Sequence, residues 1–365
     1  MFKKLLKYLI LPIFSLIILV LLFILAYRWY ITSDEEKINK ITTPNGIESL
    51  EKIKIGGIDQ WIYIRGNDKS KPLILFLHGG PGGSAMPFAK VKYQGELEKH
   101  FVIIHWDQRA TGKSFSGDIP KETITIKQFV NDTIEVTKFL LKKFKRKKLY
   151  LIGHSWGSIL GIHTISKDPS LFYAYIGVGQ VVNMMQGEKI SYDFTLRMAN
   201  ERGNQDAINE LTKIGPPPYK NYLSNIMIQR KWLGEFEGVI YGERNPMRVM
   251  AIEYFSCPQY SFWDLVYRFY NGMIFSITHV GDEFNKVNFI DTITEFKVPV
   301  YFFTGRHDYN VPFELTERYF QKINAPIKKL IWFEKSAHSP NWEEPKKFSD
   351  IIIGQVLSET YEKNP

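Results

Sequence analysis

The sequence predicts an α/β fold: a mostly parallel sheet with helices on both faces, an inserted helical cap and an N-terminal transmembrane helix. Three observations predict it. Apolar runs rich in β-branched and aromatic residues, at 72–77, 100–106, 149–152, 173–179, 298–304 and 329–333, alternate with helical segments. That is how strands buried on both faces by crossover helices read. Between residues 180 and 295 the alternation stops, and the chain becomes helical, aromatic and Met-bearing, punctuated by Pro216-Pro217-Pro218. An insertion of that kind between strands is most simply a cap over the carboxyl edge of the sheet. Third, Tyr8 to Tyr27 contains no charged residue.

That N-terminal run has the length of about 20 apolar residues that a spanning helix needs. A cleaved signal peptide has an apolar stretch of only about 7–15 residues and a small-x-small exit. Here the exit is Ala26-Tyr27-Arg28-Trp29-Tyr30, so an uncleaved anchor is expected in preference to a removed signal peptide. Lys3, Lys4 and Lys7 would hold the N-terminus in the cytoplasm, with Trp29 and Tyr30 at the far interface. The expected organisation is a basic tip and anchor over 1–30, a juxtamembrane linker over 31–48, a first core segment over 49–179, the cap over 180–295 and a second core segment over 296–365. The first core segment opens with strands near Leu50–Ile55 and Gln60–Ile64. Its segment Thr125–Lys145 is amphipathic, with Phe129, Ile134, Val136, Phe139 and Leu140 on the apolar side.

The 365 residues suffice for one large α/β domain beyond the anchor. Of the net charge of +9, much is local, as in Lys142-Lys143-Phe144-Lys145-Arg146-Lys147-Lys148, where cations at a helix C-terminus form a solvated face. No nucleic-acid motif accompanies it, and nucleic acid is not expected as a partner. Cys257 stands alone, which excludes an intrachain disulfide. No metal-ligand cluster or cofactor motif is present, and neither metal nor cofactor is expected. Ala110-Thr111-Gly112-Lys113-Ser114 mimics the end of a phosphate-binding loop, but Asp107 occupies the position of the required first glycine. Asp107 and Arg109 are instead expected to brace loops around the site.

The chemistry is carried by Gly153-His154-Ser155-Trp156-Gly157, which follows one strand run and opens a helix. Flanking glycines let the chain take a strained strand-to-helix turn that presents the Ser155 hydroxyl, and the helix N-terminus favours developing negative charge. Upstream, His78-Gly79-Gly80-Pro81-Gly82-Gly83 follows another strand. Side-chain-free residues there let a substrate approach backbone donors, so the Gly80 and Trp156 amides are the expected oxyanion hole. A serine needs a base and the base an orienting acid, in chain order serine, acid, histidine. Asp308, in the loop after the 298–304 run, and His338, after the 329–333 run, meet that order; Asp291 and Asp282 are the fallback acids. His154, His78, His105, His163, His100, His279 and His307 lack that position and are expected to be ordinary packed or surface residues.

Taken together, His78–Gly83, Asp107–Ser114, Gly153–Ser158, Gly305–Asp308 and Ser336–Ser339 resemble the proline iminopeptidase branch of the α/β-hydrolases. The resemblance spans about 51–179 and 298 to the C-terminus. It implies a Ser155–Asp308–His338 triad and a leading substrate class of short peptides with N-terminal proline. Two positions depart from the pattern. Ala110 replaces a usual glycine, and Tyr309 stands where members often carry an acid that binds the substrate's amino group. Glu235, Glu237 or Glu253 of the cap are the candidates to replace it, and Trp263 is a candidate pocket residue among the cap aromatics. The expectation is therefore a membrane-anchored serine hydrolase cleaving a small amide or ester, with residues 8–27 in the lipid bilayer. The alternatives are a carboxylesterase or other amidase of this fold, and a non-catalytic binding domain.

Overall fold

The structure is a computed structural model and describes residues 10–361. The basic tip and the first residues of the apolar run lie outside them. The N-terminal helix α1 spans Leu11–Ile38, with Pro12 in its first turn, where a missing amide hydrogen costs nothing. It is long and apolar enough to cross a membrane, and only 6% of its most apolar window is buried. Within the expected linker over 31–48, residues 31–38 continue the helix, and the first strand begins at Ile47. The reason is local, since Asp34-Glu35-Glu36-Lys37 is good helix-forming sequence and the Asn39 side chain caps the end by donating to the Glu35 carbonyl at 2.7 Å.

Eight strands form one sheet: β1 (Ile47–Ile55), β2 (Ile58–Gly66), β3 (Leu73–Leu77), β4 (Val102–Asp107), β5 (Leu149–His154), β6 (Phe172–Val178), β7 (Val300–Gly305) and β8 (Lys328–Phe333), in spatial order 1-2-4-3-5-6-7-8. The register makes β1 and β2 antiparallel, and β2 antiparallel to β4; every later pair is parallel. Two-residue spacing between β1 and β2 permits only a hairpin, with Gly56 and Gly57 at positive φ in the turn. The later strands need crossovers, supplied by α2 (Val91–His100), α3 (Ile126–Phe144), α4 (Trp156–Lys167) and α10 (Phe313–Lys322). One face of the sheet packs Leu75, Ile104, Leu151 and Phe302 against α3 and α4; the other packs Ile74, Ile103, Ile152 and Phe303 against α2 and the C-terminal helical run.

The helix α3 shows why sequence specifies its element. Thr125 caps it by accepting from the Gln128 amide at 3.2 Å, Lys145 ends it in the left-handed region, and Phe129, Val130, Val136, Leu140 and Leu141 fill its buried face. Asp132, on the same face, is fully buried and pairs with Arg109 at 2.9 Å. Gln60 and Gln128 also donate to Asp132, and Arg109 donates onward to the Gly56 carbonyl at 2.8 Å. Arg109 thus locks the β1–β2 turn to α3. Arg109→Leu would leave the Asp132 carboxylate buried without its counter-charge and is expected to cost about 3–5 kcal/mol. Denaturant unfolding monitored by tryptophan fluorescence would read that loss as a lowered midpoint.

The cap follows β6 and contains α5 (Met184–Glu201), α6 (Gln205–Ile214), α7 (Tyr222–Glu235), α8 (Pro246–Phe255), a π-helical turn (Asp264–Phe269) and α9 (Tyr270–Asn285). Tyr192, Leu211, Trp232 and Phe236 form a core of its own. No named strand lies within it among the described residues.

Candidate active site

The turn from β5 into α4 places Ser155 at φ 54° and ψ −119°, outside the regions that side-chain-bearing residues normally occupy. Close packing enforces this. A Cβ on Gly157 would stand 2.2 Å from the Leu77 carbonyl oxygen, and one on Gly153 would stand 2.6 Å from the Gly157 carbonyl oxygen. Only glycine at both positions lets the helix enter so near β3. Trp156 is the first residue of α4, where a helix leaves its amide without an intrahelical acceptor.

The glycine loop lies directly beside the serine: a Cβ on Gly79 would be 3.2 Å from the Ser155 Cβ. Gly80 has φ +121°, which a side chain would strain. The loop is tied to the elbow by a buried relay. The Gln108 amide donates to His78 Nε2 at 3.2 Å, His78 Nδ1 meets the Gly79 carbonyl at 2.7 Å, and Trp156 Nε1 donates to Gln108 Oε1 at 3.0 Å. Burial lowers His78 to about 4, so this ring stays neutral and can accept from Gln108.

Asp308 lies 1% exposed in the loop after β7. Its Oδ1 accepts from the Val311 amide at 2.8 Å, and its Oδ2 accepts from His338 Nδ1 at 2.9 Å. A carboxylate there fixes the His338 proton on Nδ1 and leaves Nε2 as the acceptor. Of the fallback acids, Asp291 pairs at the surface with Lys322, and neither it nor Asp282 bonds His338. The His338 ring lies against His154, the residue before the serine, and beside Gly179. The His154 ring is 4.8 Å from it, centroid to centroid, and a Cβ on Gly179 would be 2.9 Å from its Cε1. Gly179 follows Val178, whose carbonyl accepts from the Ser155 amide at 3.0 Å. His154 donates through Nε2 to the His338 carbonyl at 3.0 Å, and burial lowers it to about 3, so no positive charge competes beside His338.

Sequence patterns missed what holds the histidine loop. Glu343 accepts from the amides of Ala337 at 2.9 Å, Ser339 at 2.7 Å and Tyr241 at 2.7 Å. Burial raises its carboxyl, against the pull of those amides. Glu344 accepts from the Lys335 amide and the Ser336 hydroxyl. Two carboxylates just after the histidine, at the start of a helical run, were the available signal.

The cap closes over these loops through residues 237–241. The Tyr309 amide donates to the Gly238 carbonyl and the His338 amide to the Val239 carbonyl, both at 3.1 Å. Tyr309 stacks on Phe194 of α5 at 3.6 Å, with Arg197 over the far ring at 5.5 Å, so an aromatic face stands beside the acid loop. Glu237, at φ 62°, immediately precedes the two carbonyls and lies 3.5 Å from Arg244. Glu235 faces the same arginine at 4.0 Å. Glu253 is occupied elsewhere, paired with Lys90 at 2.7 Å and with Lys92. Trp263 is not brought to the serine, acid or histidine loops by any ring contact or hydrogen bond among the described residues; it stacks on Tyr267 at 4.8 Å on the outer cap. Asp107, raised to about 6 by burial, accepts from Tyr260 at 2.8 Å and from the Lys113 amide, so the phosphate-loop mimic is a structural turn.

The sequence of residues 72–345 matches the model of the α/β-hydrolase fold. The chain belongs to that family. Within the α/β-hydrolases it falls in the proline iminopeptidase-like branch. It is 37% identical over 313 residues to the probable aminopeptidase YbaC of Bacillus subtilis (strain 168), covering 86% of this chain and 97% of that protein. It is 27% identical over 303 residues to a proline iminopeptidase of Heyndrickxia coagulans, covering 78% and 90%. Among solved structures, the proline iminopeptidase of Mycobacterium smegmatis superposes with a TM-score of 0.60 at 17% identity, over 86% of this chain and 99% of that one, a likeness of fold. As an α/β-hydrolase with aminopeptidase-named relatives, the protein is an enzyme of the hydrolase class.

Proposed function

We propose that this hydrolase is a membrane-anchored serine enzyme that cleaves a small amide or ester through an acyl-enzyme. The observation that carries the proposal is the 2.9 Å contact of His338 Nδ1 with Asp308, on a ring that packs against His154, the residue before the strained Ser155, and beside Gly179. Ser155 Oγ attacks the carbonyl carbon while His338 Nε2 takes its proton. The oxyanion is held by the Gly80 and Trp156 amides. His338 then returns the proton to the leaving amine or alcohol, and water repeats the sequence to free the acid.

The substrate proposed first is a short peptide with N-terminal proline. Its secondary ammonium would meet Glu237, with Glu235 behind it, because Glu237 adjoins the carbonyls that strap the cap onto the acid and histidine loops. This reading is supported by the names of the similar proteins. A second reading, an ester or other amide, is favoured by Tyr309: the position beside Asp308 offers a stacked aromatic with Arg197 nearby, which is hostile to a cationic amine. Turnover of a prolyl arylamide against short acyl esters separates them. The first reading expects the arylamide to have a kcat/KM at least tenfold higher than an alanyl arylamide. Ester turnover with no prolyl arylamide cleavage would remove the peptidase assignment.

The anchor proposed is the apolar run 8–27, with the N-terminus cytoplasmic and the enzyme domain outside. It is supported by exposed Leu16, Leu19, Leu22 and Phe23 along α1 and by the lysines preceding it in sequence.

A further inference from the structure

One segment of the cap wears its apolar stripe on the outside. Trp263, Val266, Tyr267 and Tyr270 recur at the i, i+3, i+4, i+7 spacing that a helix packed on a core would bury. Here the four side chains are 60%, 57%, 40% and 60% exposed. The group this segment buries is an acid. Asp264 pairs with Lys113 at 3.0 Å and with Arg268 at 3.2 Å, and accepts from the Ser261 amide at 2.8 Å. An element that turns its carboxylate inward and its aromatic rings outward is built for apolar surroundings beyond the protein.

The course of α1 identifies those surroundings. The helix runs without a break from its apolar half into a polar half that is docked on the enzyme domain. Arg28 donates to the carbonyls of Cys257 at 3.2 Å and Tyr260 at 2.6 Å, and its guanidinium lies 5.8 Å from the Phe255 ring centre. Glu35 pairs with Lys90 at 3.1 Å, and Asn39 accepts from the Val91 amide at 2.7 Å. At 1.5 Å per residue the apolar stretch from Leu11 to Tyr27 measures about 26 Å, close to a hydrocarbon core of about 30 Å. Arg28 therefore marks the level where hydrocarbon gives way to headgroups, and Tyr260, which it holds, lies at that level too. Trp263 follows three residues later, at most about 11 Å of chain away. Tryptophan and tyrosine are the side chains that favour this zone.

We infer that the Trp263–Tyr270 stripe is a second contact with the lipid bilayer, lying among the headgroups beside the anchor and fixing how the enzyme domain sits on the membrane. The inference rests on the proposed anchor. It also bears on substrate class. The same helix continues into Gly272 and Met273, and a Cβ on Gly82 of the glycine loop would lie 2.7 Å from the Met273 Cα. The loop beside Ser155 is thus about one helical turn from the bilayer contact. A peptide or ester carrying an apolar chain, partitioned among the headgroups, reaches it more readily than one in bulk water.

The test uses the full chain in vesicles of phosphatidylcholine and phosphatidylglycerol doped with lipids carrying a nitroxide on the acyl chain. Leu19→Cys, Val266→Cys and Lys346→Cys are each labelled with a nitrobenzoxadiazole fluorophore; the native Cys257 is buried. The labels at 19 and 266 are expected to be quenched at least threefold more than the label at 346, an exposed site on the C-terminal helical run. Quenching at 19 with none at 266 beyond the level at 346 would overturn this inference and leave the anchor standing. No excess quenching at 19 would remove the anchor and the inference with it. As a second readout, Val266→Glu combined with Tyr270→Glu is expected to lower turnover of a vesicle-embedded long-chain acyl ester at least fivefold while sparing a water-soluble short ester. Equal effects on both esters would refute the orienting role.

Discussion

Ser155→Ala is expected to lower turnover about 10⁶-fold, the scale of losing a nucleophile whose partners act as a unit, and to abolish labelling by a fluorophosphonate probe. The elbow geometry makes this a clean experiment. Ser155 occupies φ 54° and ψ −119° because Gly153 and Gly157 let α4 approach β3, and alanine there carries the same Cβ as serine. The Ser155 side chain makes no hydrogen bond that caps α4, so its loss leaves the helix start as it was. An unchanged thermal midpoint beside vanished activity would place the whole effect in the chemistry. Undiminished probe labelling of the alanine variant would refute the serine mechanism, whatever the substrate.

The second large effect belongs to Asp308→Asn, expected to lower kcat about 10⁴-fold, as loss of the orienting carboxylate does in such triads. The amide is nearly isosteric and its oxygen can still accept from the Val311 amide, which meets Asp308 Oδ1 at 2.8 Å. At the other position an NH₂ group would face His338 Nδ1 across 2.9 Å. Two donors cannot share that contact, so the imidazole must accept at Nδ1 and carry its proton on Nε2, toward the serine. KM should change little, because the substrate is not touched, and fluorophosphonate labelling should slow without disappearing. A variant retaining more than about a tenth of wild-type kcat would point to a different acid.

The legible parts of this protein are those whose causes are local or follow chain order. The strand runs at 149–152 and 298–304 alternate with helical segments, and buried parallel strands need that sequence whatever their neighbours. Glycines bracketing Ser155 announce a turn that only glycine-flanked backbone can make. Loops after two late strands offered an acid and a histidine, and the fold brings Asp308 and His338 together. Tyr309 likewise announced the missing acid, and in the structure its ring stacks on Phe194.

The chain by itself determined the α/β class, the inserted cap, the strained serine turn and an apolar helix long enough to span a membrane, because periodicity, glycine and charge-free length act within a few residues of themselves. Only the tertiary structure decided the strand order, the Glu343 clamp on the histidine loop, and the fate of Arg28 and Trp263. Those depend on partners far along the chain: Glu343 reaches amides on both the cap and the core, and Arg28 meets carbonyls more than 200 residues away. The apolar spacing from Trp263 to Tyr270 reads as buried core in one dimension. Its outward orientation follows from Asp264, which finds Lys113 on the core and draws the other side of the turn inward.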